Sequence, residues 1–469
     1  MISTNGPRFR SRIATAMAAA FVALAVVACG DGSGTPTPEG TTETSTSSPS
    51  STTTEPASTT AAPTLTGTSG STSTGTASAT ASMTVTATAD SQAQLRRNLL
   101  SNLTIGLDPA ETRDALDGIE VVTAAFNTSD RELWVAVTSG PGIYDLPEAR
   151  EHVAGIYERS GDDWVELANT TLASGPTFAD ISIVAADYEG ASWIAIDGIT
   201  GAHSGTFELL KFDGTDLASV LWWFSSMPGA ATVVDLDGTE PPEVVLNATD
   251  PYVYCYACGV RAWSEVIYRW MDGELVEVPV AGVADDDQLV TDLTEVAAIY
   301  AAADLWQRAL DSVTEASNMA PNNPDVFWLY TLISRIAEAR LGEAGSEQQP
   351  FMTNVLAGEY DAAVALMRPY TPEVALSPTG PLIADTVAQD GWEDATALWV
   401  LDYTERAIDA APDLAAAHAV RAFGLLVENP DNWGGALMEM EEALRLQPQD
   451  DFYLQAVEYL LEQNGGAFG

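Results

Sequence analysis

Residues 267–278 read IYRWMDGELVEV, with two alternating apolar segments on either side of Asp272-Gly273. An Asp-Gly pair between alternating segments predicts a β-hairpin. The same pattern occurs twice earlier in the chain, around residues 161–162 and 213–214. Each hairpin follows two further strand-like segments, so a unit of roughly 50–60 residues is repeated three times between residues 118 and 280.

Each unit is therefore predicted to contain four short strands, which is the pattern of a β-propeller blade. The first strands cover residues 119–122, 181–184 and 232–234, and the second strands cover residues 133–137, 193–196 and 243–246. Three blades are fewer than the roughly four to eight that close a propeller. Either residues 92–117 form a degenerate blade or the array is open and capped by another domain. The pattern of residues 94–115 favours a helix.

The turn between the first two strands of the third unit, residues 235–243, reads DLDGTEPPE. It resembles the FG-GAP or VCBS blade motif, in which alternating acidic residues wrap Ca²⁺. The resemblance implies that Asp235, Asp237 and Glu243 are calcium ligands, because hard cations prefer several converging oxygen atoms. Thr239 stands where the family has aspartate, and the first two units keep less of the motif. The alternative is a turn held by Asp side chains that bond their own backbone.

Cys255 and Cys258 follow the second strand of the third unit. One Cys-x-x-Cys pair cannot complete a structural zinc site, which needs four ligands. No helix start or thioredoxin-like unit accompanies the pair, so a redox role is disfavoured. We expect a local disulfide, since the N-terminus directs the chain to an oxidising compartment.

The N-terminus has the pattern of an export signal. Arg8, Arg10 and Arg12 precede an uncharged stretch, residues 13–27, that is too short to span a bilayer. This stretch ends in VVAC at residues 26–29, which resembles the lipobox of prokaryotic lipoproteins. The resemblance implies that Cys29 is lipidated and that a membrane lipid anchors the protein to the outer face of the cell membrane. The alternative is an ordinary secretory signal.

Residues 30–91 are nearly all Ser, Thr, Gly, Pro and Ala. Such a segment has almost no apolar side chains to offset the entropy of ordering it, so we expect a disordered tether.

After about residue 283 the chain becomes a series of alanine-rich amphipathic segments. They resemble tetratricopeptide (TPR) repeats, in which small residues lie where paired helices cross and proline closes each pair. The positions that carry the resemblance are Tyr300, Ala309, Ala316, Pro321, Ala407, Pro412, Phe423, Gly424, Ala436, Ala443 and Pro448. A capping helix is expected over residues 450–463, with Tyr453, Val457, Leu460 and Leu461 on its apolar face. The family implies a concave groove for peptides; the alternative is a scaffold packed against the sheets.

The chain carries 67 acidic and 19 basic residues, a formal net charge of −48. This charge argues against binding nucleic acid, which requires Lys and Arg to neutralise phosphates. The three histidines are isolated in the sequence, so no catalytic set is predicted and we expect the protein not to be an enzyme.

The predicted architecture is therefore multidomain β plus α. Its segments are a signal peptide at 1–28, a tether at 29–91, a propeller-like β-blade domain at 92–282 and a TPR-like solenoid at 283–469. We expect an exported, membrane-anchored scaffold that binds protein or peptide partners through its helices and needs no cofactor. The alternatives are a glycan- or Ca²⁺-dependent ligand-binding protein that uses the blades and, third, a hydrolase with a carboxylate pair between the domains.

Overall fold

The computed structural model describes residues 88–141, 151–201, 203–345, 349–384, 386 and 391–466. The predicted signal peptide, the lipidated Cys29 and the tether up to residue 87 lie outside the described residues. The sheets and the helices that follow them belong to one compact unit. No described helix is both long enough and apolar enough to cross a membrane.

Two helices precede the first sheet. Helix α1 spans Ala89–Leu103, and the Thr88 side chain caps it by accepting a hydrogen bond from the Ser91 N–H. The last three residues of the predicted tether therefore belong to a helix. Helix α2 spans Pro109–Ala115 and begins with a capping box made by Asp108 and Glu111. The helical prediction for this region is confirmed.

Twelve strands form three antiparallel sheets, each with its four strands side by side in chain order. Sheet 1 contains β1 Glu120–Asn127, β2 Glu132–Ser139, β3 Val153–Ser160 and β4 Asp163–Thr171. Sheet 2 contains β5 Phe178–Tyr188, β6 Ala191–Gly201, β7 Ser204–Phe212 and β8 Leu217–Ser225. Sheet 3 contains β9 Ala231–Val234, β10 Glu243–Asn247, β13 Glu265–Met271 and β14 Glu274–Glu277. The predicted threefold four-strand pattern is confirmed.

A small hairpin, β11 Val253–Cys255 and β12 Val260–Arg261, is inserted between the second and third strands of sheet 3. Its strands pair only with each other among the described strands.

The sheets stack face to face. Ile156 of sheet 1 packs in one apolar cluster with Ile194 and Leu210 of sheet 2. On its other face, sheet 2 packs Trp193 against Trp270 of sheet 3, with ring centroids 4.3 Å apart. Inner strands such as β2, β6 and β10 are buried along most of their length and therefore on both faces, because successive side chains point to opposite sides of a sheet. The edge strand β8 keeps several exposed side chains.

Helices cover both ends of this stack. Leu95, Leu99 and Leu103 of α1 pack on the outer face of sheet 1. Trp328 and Leu332, from the helical half, pack on the outer face of sheet 3. Sheets 1 and 3 share no apolar cluster among the described residues. The described strands thus form an open, capped stack, and no closed propeller is seen.

Ten helices follow the sheets in the described part of the chain. They are α3 Gln288–Ala302, α4 Trp306–Met319, α5 Pro324–Gly342, α6 Pro350–Leu356, α7 Tyr360–Met367, α8 Pro372–Ala375, α9 Glu393–Ala410, α10 Ala415–Glu428, α11 Trp433–Leu446 and α12 Asp451–Gly466. The predicted boundary at 282/283 falls in the segment between β14 and α3.

The small residues named for the helical half are buried. The five alanines named above, at 309, 316, 407, 436 and 443, are all fully buried. A Cβ atom on Gly424 would lie 2.8 Å from Cγ1 of Val400, so α9 and α10 approach too closely for a larger residue. Pro321, Pro412 and Pro448 lie in the turns after α4, α9 and α11.

The aromatic and capping positions differ in burial. Phe423 is fully buried and Tyr300 is half-buried. Helix α12 buries Tyr453, Val457 and Leu460. Leu461, predicted on the same apolar face, is 49% exposed, so its assignment was wrong. It follows Leu460 directly, and adjacent helical residues do not share a face.

Candidate functional site

The acidic turn of sheet 3 brings its three predicted ligands together. Asp235 directly follows β9, Asp237 lies in the turn, and Glu243 is the first residue of β10. One carboxylate oxygen from each lies within 4.8 Å of the other two. Glu243 is 1% exposed, and this burial raises its pKa, although the N–H of Leu236 donates to it and opposes the rise. The convergence is what a cation site requires.

Backbone and hydroxyl donors already bind these carboxylates. The Gly238 N–H donates to Asp235 at 2.6 Å, and the Leu236 N–H donates to Glu243 at 2.8 Å. Thr239 donates to Asp237 through its N–H at 2.9 Å and through its hydroxyl at 2.5 Å. Asp235 and Asp237 thus bond the backbone of their own turn, as the alternative interpretation of this turn expected.

A protein cation also reaches the cluster. Arg269, in β13, forms an ion pair with Asp237, and its Nε lies 3.8 Å from Oε1 of Glu243. The guanidinium also lies 4.5 Å from the ring centroid of Trp328 in α5. The sequence analysis missed Arg269 and Trp328, because both have ordinary strand and helix patterns and nothing local marks them.

The calcium fit is therefore incomplete. Ca²⁺ takes about six to eight oxygen ligands. The turn offers three carboxylates, but Thr239 has no charge where the motif has an aspartate. The guanidinium of Arg269 binds two of the carboxylates. We derive no calcium chemistry at this turn.

The hairpin β11–β12 holds the predicted cysteine pair. The structure brings the sulfur atoms of Cys255 and Cys258 to bonding distance across its turn. The buried Tyr254 from this hairpin meets Trp392 and Trp399 of the helical half, with ring centroids 5.6 and 6.3 Å apart. The hairpin thus packs an aromatic side chain against α9.

A groove lies on the helical half between α4 and α5. Its lining is apolar and acidic, with no Lys, Arg or His among the described residues. The lining residues are Leu310, Asp311, Thr314, Glu315, Asn318, Met319 and Tyr330. Asp311 and Glu315 are exposed to solvent. Another face of α5 is covered by sheet 3, so this helix serves both as scaffold and as groove wall.

The outer strand of sheet 2, β8, presents a second apolar surface. Val220, Trp222 and Phe224 alternate along it and are 45%, 55% and 46% exposed. Trp222 is the most exposed of the chain's twelve tryptophans, all of which are described. Trp222 lies on sheet 2, whereas the acidic turn belongs to sheet 3.

A buried ion cluster, missed by the sequence analysis, ties the helices together. Asp304, in the turn between α3 and α4, pairs with Arg340 of α5 at 3.1 Å and with Arg406 of α9. Asp304 and Arg340 are about one-twentieth exposed. Two fully buried tyrosines are nearby, and burial raises the pKa of Tyr403 to about 12.

The histidines do not form a catalytic set among the described residues. His152 is 1% exposed and bonds the Thr138 hydroxyl and the Gly140 carbonyl, so no substrate reaches it. Burial lowers its pKa. His418 bonds Glu439 at 2.7 Å between α10 and α11. His203 lies in the turn between β6 and β7.

The chain matches no protein-family model, no curated protein and no solved structure. The resemblances to lipoproteins, FG-GAP blades and TPR repeats therefore rest on the motifs themselves.

Proposed function

We propose that this protein is an exported, lipid-anchored scaffold that binds a basic segment of a partner protein in the groove between α4 and α5. The observation that carries the proposal is the lining of that groove, which combines apolar side chains with the exposed carboxylates of Asp311 and Glu315. A partner segment with Lys or Arg beside apolar residues complements such a surface.

The charge of the whole chain supports the same partner chemistry. A net charge of −48 attracts cationic segments over a distance of about one Debye length and repels nucleic acid and other acidic proteins. The apolar part of the groove then provides short-range contact. Catalysis is not part of this proposal.

A binding experiment with a matched control tests the groove. The probe is a synthetic amphipathic peptide of lysine and leucine, labelled for fluorescence anisotropy. We expect the double variant Asp311→Asn/Glu315→Gln to bind it about tenfold more weakly, which corresponds to about 1.4 kcal/mol. The control is Glu458→Gln/Glu462→Gln, which removes two exposed acids at the same four-residue spacing on α12. An equal loss of peptide affinity in both double variants would show that only net charge matters, and would reject binding in the groove.

The anchor is proposed on the lipobox resemblance and has its own test. Mass spectrometry of the mature N-terminus is expected to find diacylglyceryl-Cys29, and Cys29→Ser is expected to release the protein from membranes. An unmodified mature N-terminus at another residue would reject lipid anchoring while leaving the groove proposal untouched.

A second candidate function rests on the β8 surface. Trp222 presents an exposed ring that can stack on a sugar, as carbohydrate-binding surfaces do. If β8 binds glycans, Trp222→Ala abolishes retention on a polysaccharide column, whereas the groove variant is retained normally. Normal retention of Trp222→Ala, or no retention of the wild type, rejects this candidate.

A further inference from the structure

The first turn of sheet 1 contains the counterpart of the Arg269 contact. Arg131, at the end of the β1–β2 turn, forms a two-pronged ion pair with Glu158 in β3, at 2.7 and 3.0 Å. In sheet 3, Asp237 in the β9–β10 turn pairs with Arg269 in β13. Both contacts join the first turn of a sheet to its third strand.

The repeat aligns the two strand residues. Residues 156–158 read IYE, and residues 267–269 read IYR, so Glu158 and Arg269 occupy equivalent positions. The ion pair is thus the same contact with its charges exchanged. The sheet 1 turn cannot bind a metal through this contact, because its side chain there is a guanidinium. A salt bridge between turn and third strand therefore stabilises this sheet without a metal.

In sheet 3 the arginine contacts two carboxylates, where the ion pair of sheet 1 has one. Asp237 and Glu243 are almost fully buried, so their charges need a partner. The Arg269 side chain is 33% exposed, and it reaches both of them. Thr239 removes the fourth negative charge that would favour a divalent ion over a guanidinium.

We propose that Arg269 is the resident cation of the acidic turn, taking the place that calcium holds in the motif this turn resembles. The turn is then closed by the protein itself and does not respond to calcium. Since Arg269 also packs on Trp328, closing the turn fastens sheet 3 to α5. This inference is independent of the proposed partner groove.

Thermal unfolding of the full chain in detergent tests the proposal. Midpoints are measured by circular dichroism in EDTA, in about 5 mM calcium and in about 5 mM magnesium. These concentrations exceed the typical dissociation constants of extracellular calcium-binding modules. The wild-type midpoint is expected to be the same in EDTA and calcium. A rise in calcium that magnesium does not reproduce overturns the proposal.

Unlike the wild type, the variant Arg269→Gln is expected to respond to calcium. Its midpoint in EDTA is expected to fall by about 5 °C, because buried carboxylates lose their partner. Calcium, more than magnesium, is expected to restore part of this loss, since Asp237 and Glu243 no longer have a guanidinium partner and converge with Asp235. Arg131→Gln is the matched control: it leaves one carboxylate and gains nothing from calcium. An unchanged midpoint in Arg269→Gln overturns the proposal.

A measurement on the wild type keeps the test decisive if Arg269→Gln does not fold. Calorimetric titration of the full chain with calcium is expected to give no saturable binding. A saturable site that Asp235→Asn abolishes would show that calcium displaces Arg269, and the proposal would be wrong.

Discussion

The hydroxyl of Tyr254 lies 2.6 Å from the hydroxyl of Thr396, a residue 142 positions later in the chain. Tyr254 belongs to the hairpin β11–β12, and Thr396 to the first turn of α9. The contact is buried and lies beside Trp392 and Trp399. The hairpin thus joins the sheets to a helix far beyond the first repeat, in addition to the contacts between sheet 3 and α5.

Removing the Tyr254 hydroxyl tests how much its contact with Thr396 stabilises the protein. We expect Tyr254→Phe to lower the free energy of unfolding by about 1 kcal/mol, since the Thr396 hydroxyl keeps its bond to the Trp392 carbonyl. Urea unfolding measures the change. Tyr256→Phe is the control, because this side chain is 50% exposed and its hydroxyl bonds Asp250 at 3.4 Å and also Ser226. Equal effects in both variants would contradict the prediction.

The Asp304 cluster predicts a larger loss. Asp304→Asn leaves Arg340, whose side chain is 5% exposed, with no charge partner among the described residues, so we expect the free energy of unfolding to fall by about 3 kcal/mol. Asparagine tolerates the left-handed backbone at this position (φ 59°), so the variant removes the charge without straining the backbone. Asp413→Asn breaks an exposed pair with Arg308 and is expected to cost less than about 0.5 kcal/mol. Chemical denaturation distinguishes the two.

The environment of Asp197 leads us to expect that the stability of the protein depends on pH. Asp197 lies opposite Asp180 across β5 and β6, and burial, then the charge of Asp180, raises its pKa to about 6. A raised carboxyl pKa makes the folded state lose stability as pH rises from about 4 to about 6. Asp197→Asn removes this loss. It should therefore stabilise the protein by about 1–2 kcal/mol at about pH 7.5 and have no effect at about pH 3.5.

The pH series has its own internal check. Asp180→Asn is expected to give a smaller gain at neutral pH, because it removes only the second cause of the raised pKa. A gain in Asp197→Asn that is the same at both pH values would show that packing, and not ionisation, is responsible.

A glycine in the helical half predicts a steric effect. Gly358, before α7, has φ 78°, and a Cβ there would lie 2.2 Å from the Asp304 carbonyl oxygen. Gly358→Ala should destabilise the protein by about 3 kcal/mol or more, because the turn carrying the ion cluster must move. Gly342→Ala, at the end of α5 with open space around it, should be neutral or slightly stabilising. Thermal unfolding compares them.

Local patterns predicted the elements well. The Asp-Gly turns revealed the strands of residues 267–278 and their two counterparts because turn chemistry and alternation depend on neighbouring residues. Alanine at 309 and 436 likewise indicated helix crossings. The three acids of the turn at 235–243 were found for the same reason, since they belong to a single short motif.

Long-range partners could not be predicted in this way. Arg269 and Trp328 are 59 positions apart, and the ion pair of Asp304 with Arg406 spans 102. Arg269 meets Trp328 because sheet 3 packs on α5, and Asp304 meets Arg406 because the turn between α3 and α4 packs on α9. A single sequence contains no signal for that docking.

The capped stack of sheets also determines how the protein bears a mechanical load. In the described part of the chain, α1, the three sheets and α5 contact one another in succession, so a pull on residue 88 passes through every interface in series. That pull loads α1 first, and three leucines and the bond from Arg96 to the Ile119 carbonyl hold this helix on sheet 1. Under tension α1 should peel away first and expose Trp134 and Trp164 of sheet 1. Helix α1 would therefore detach from sheet 1 under load before the sheets unfold.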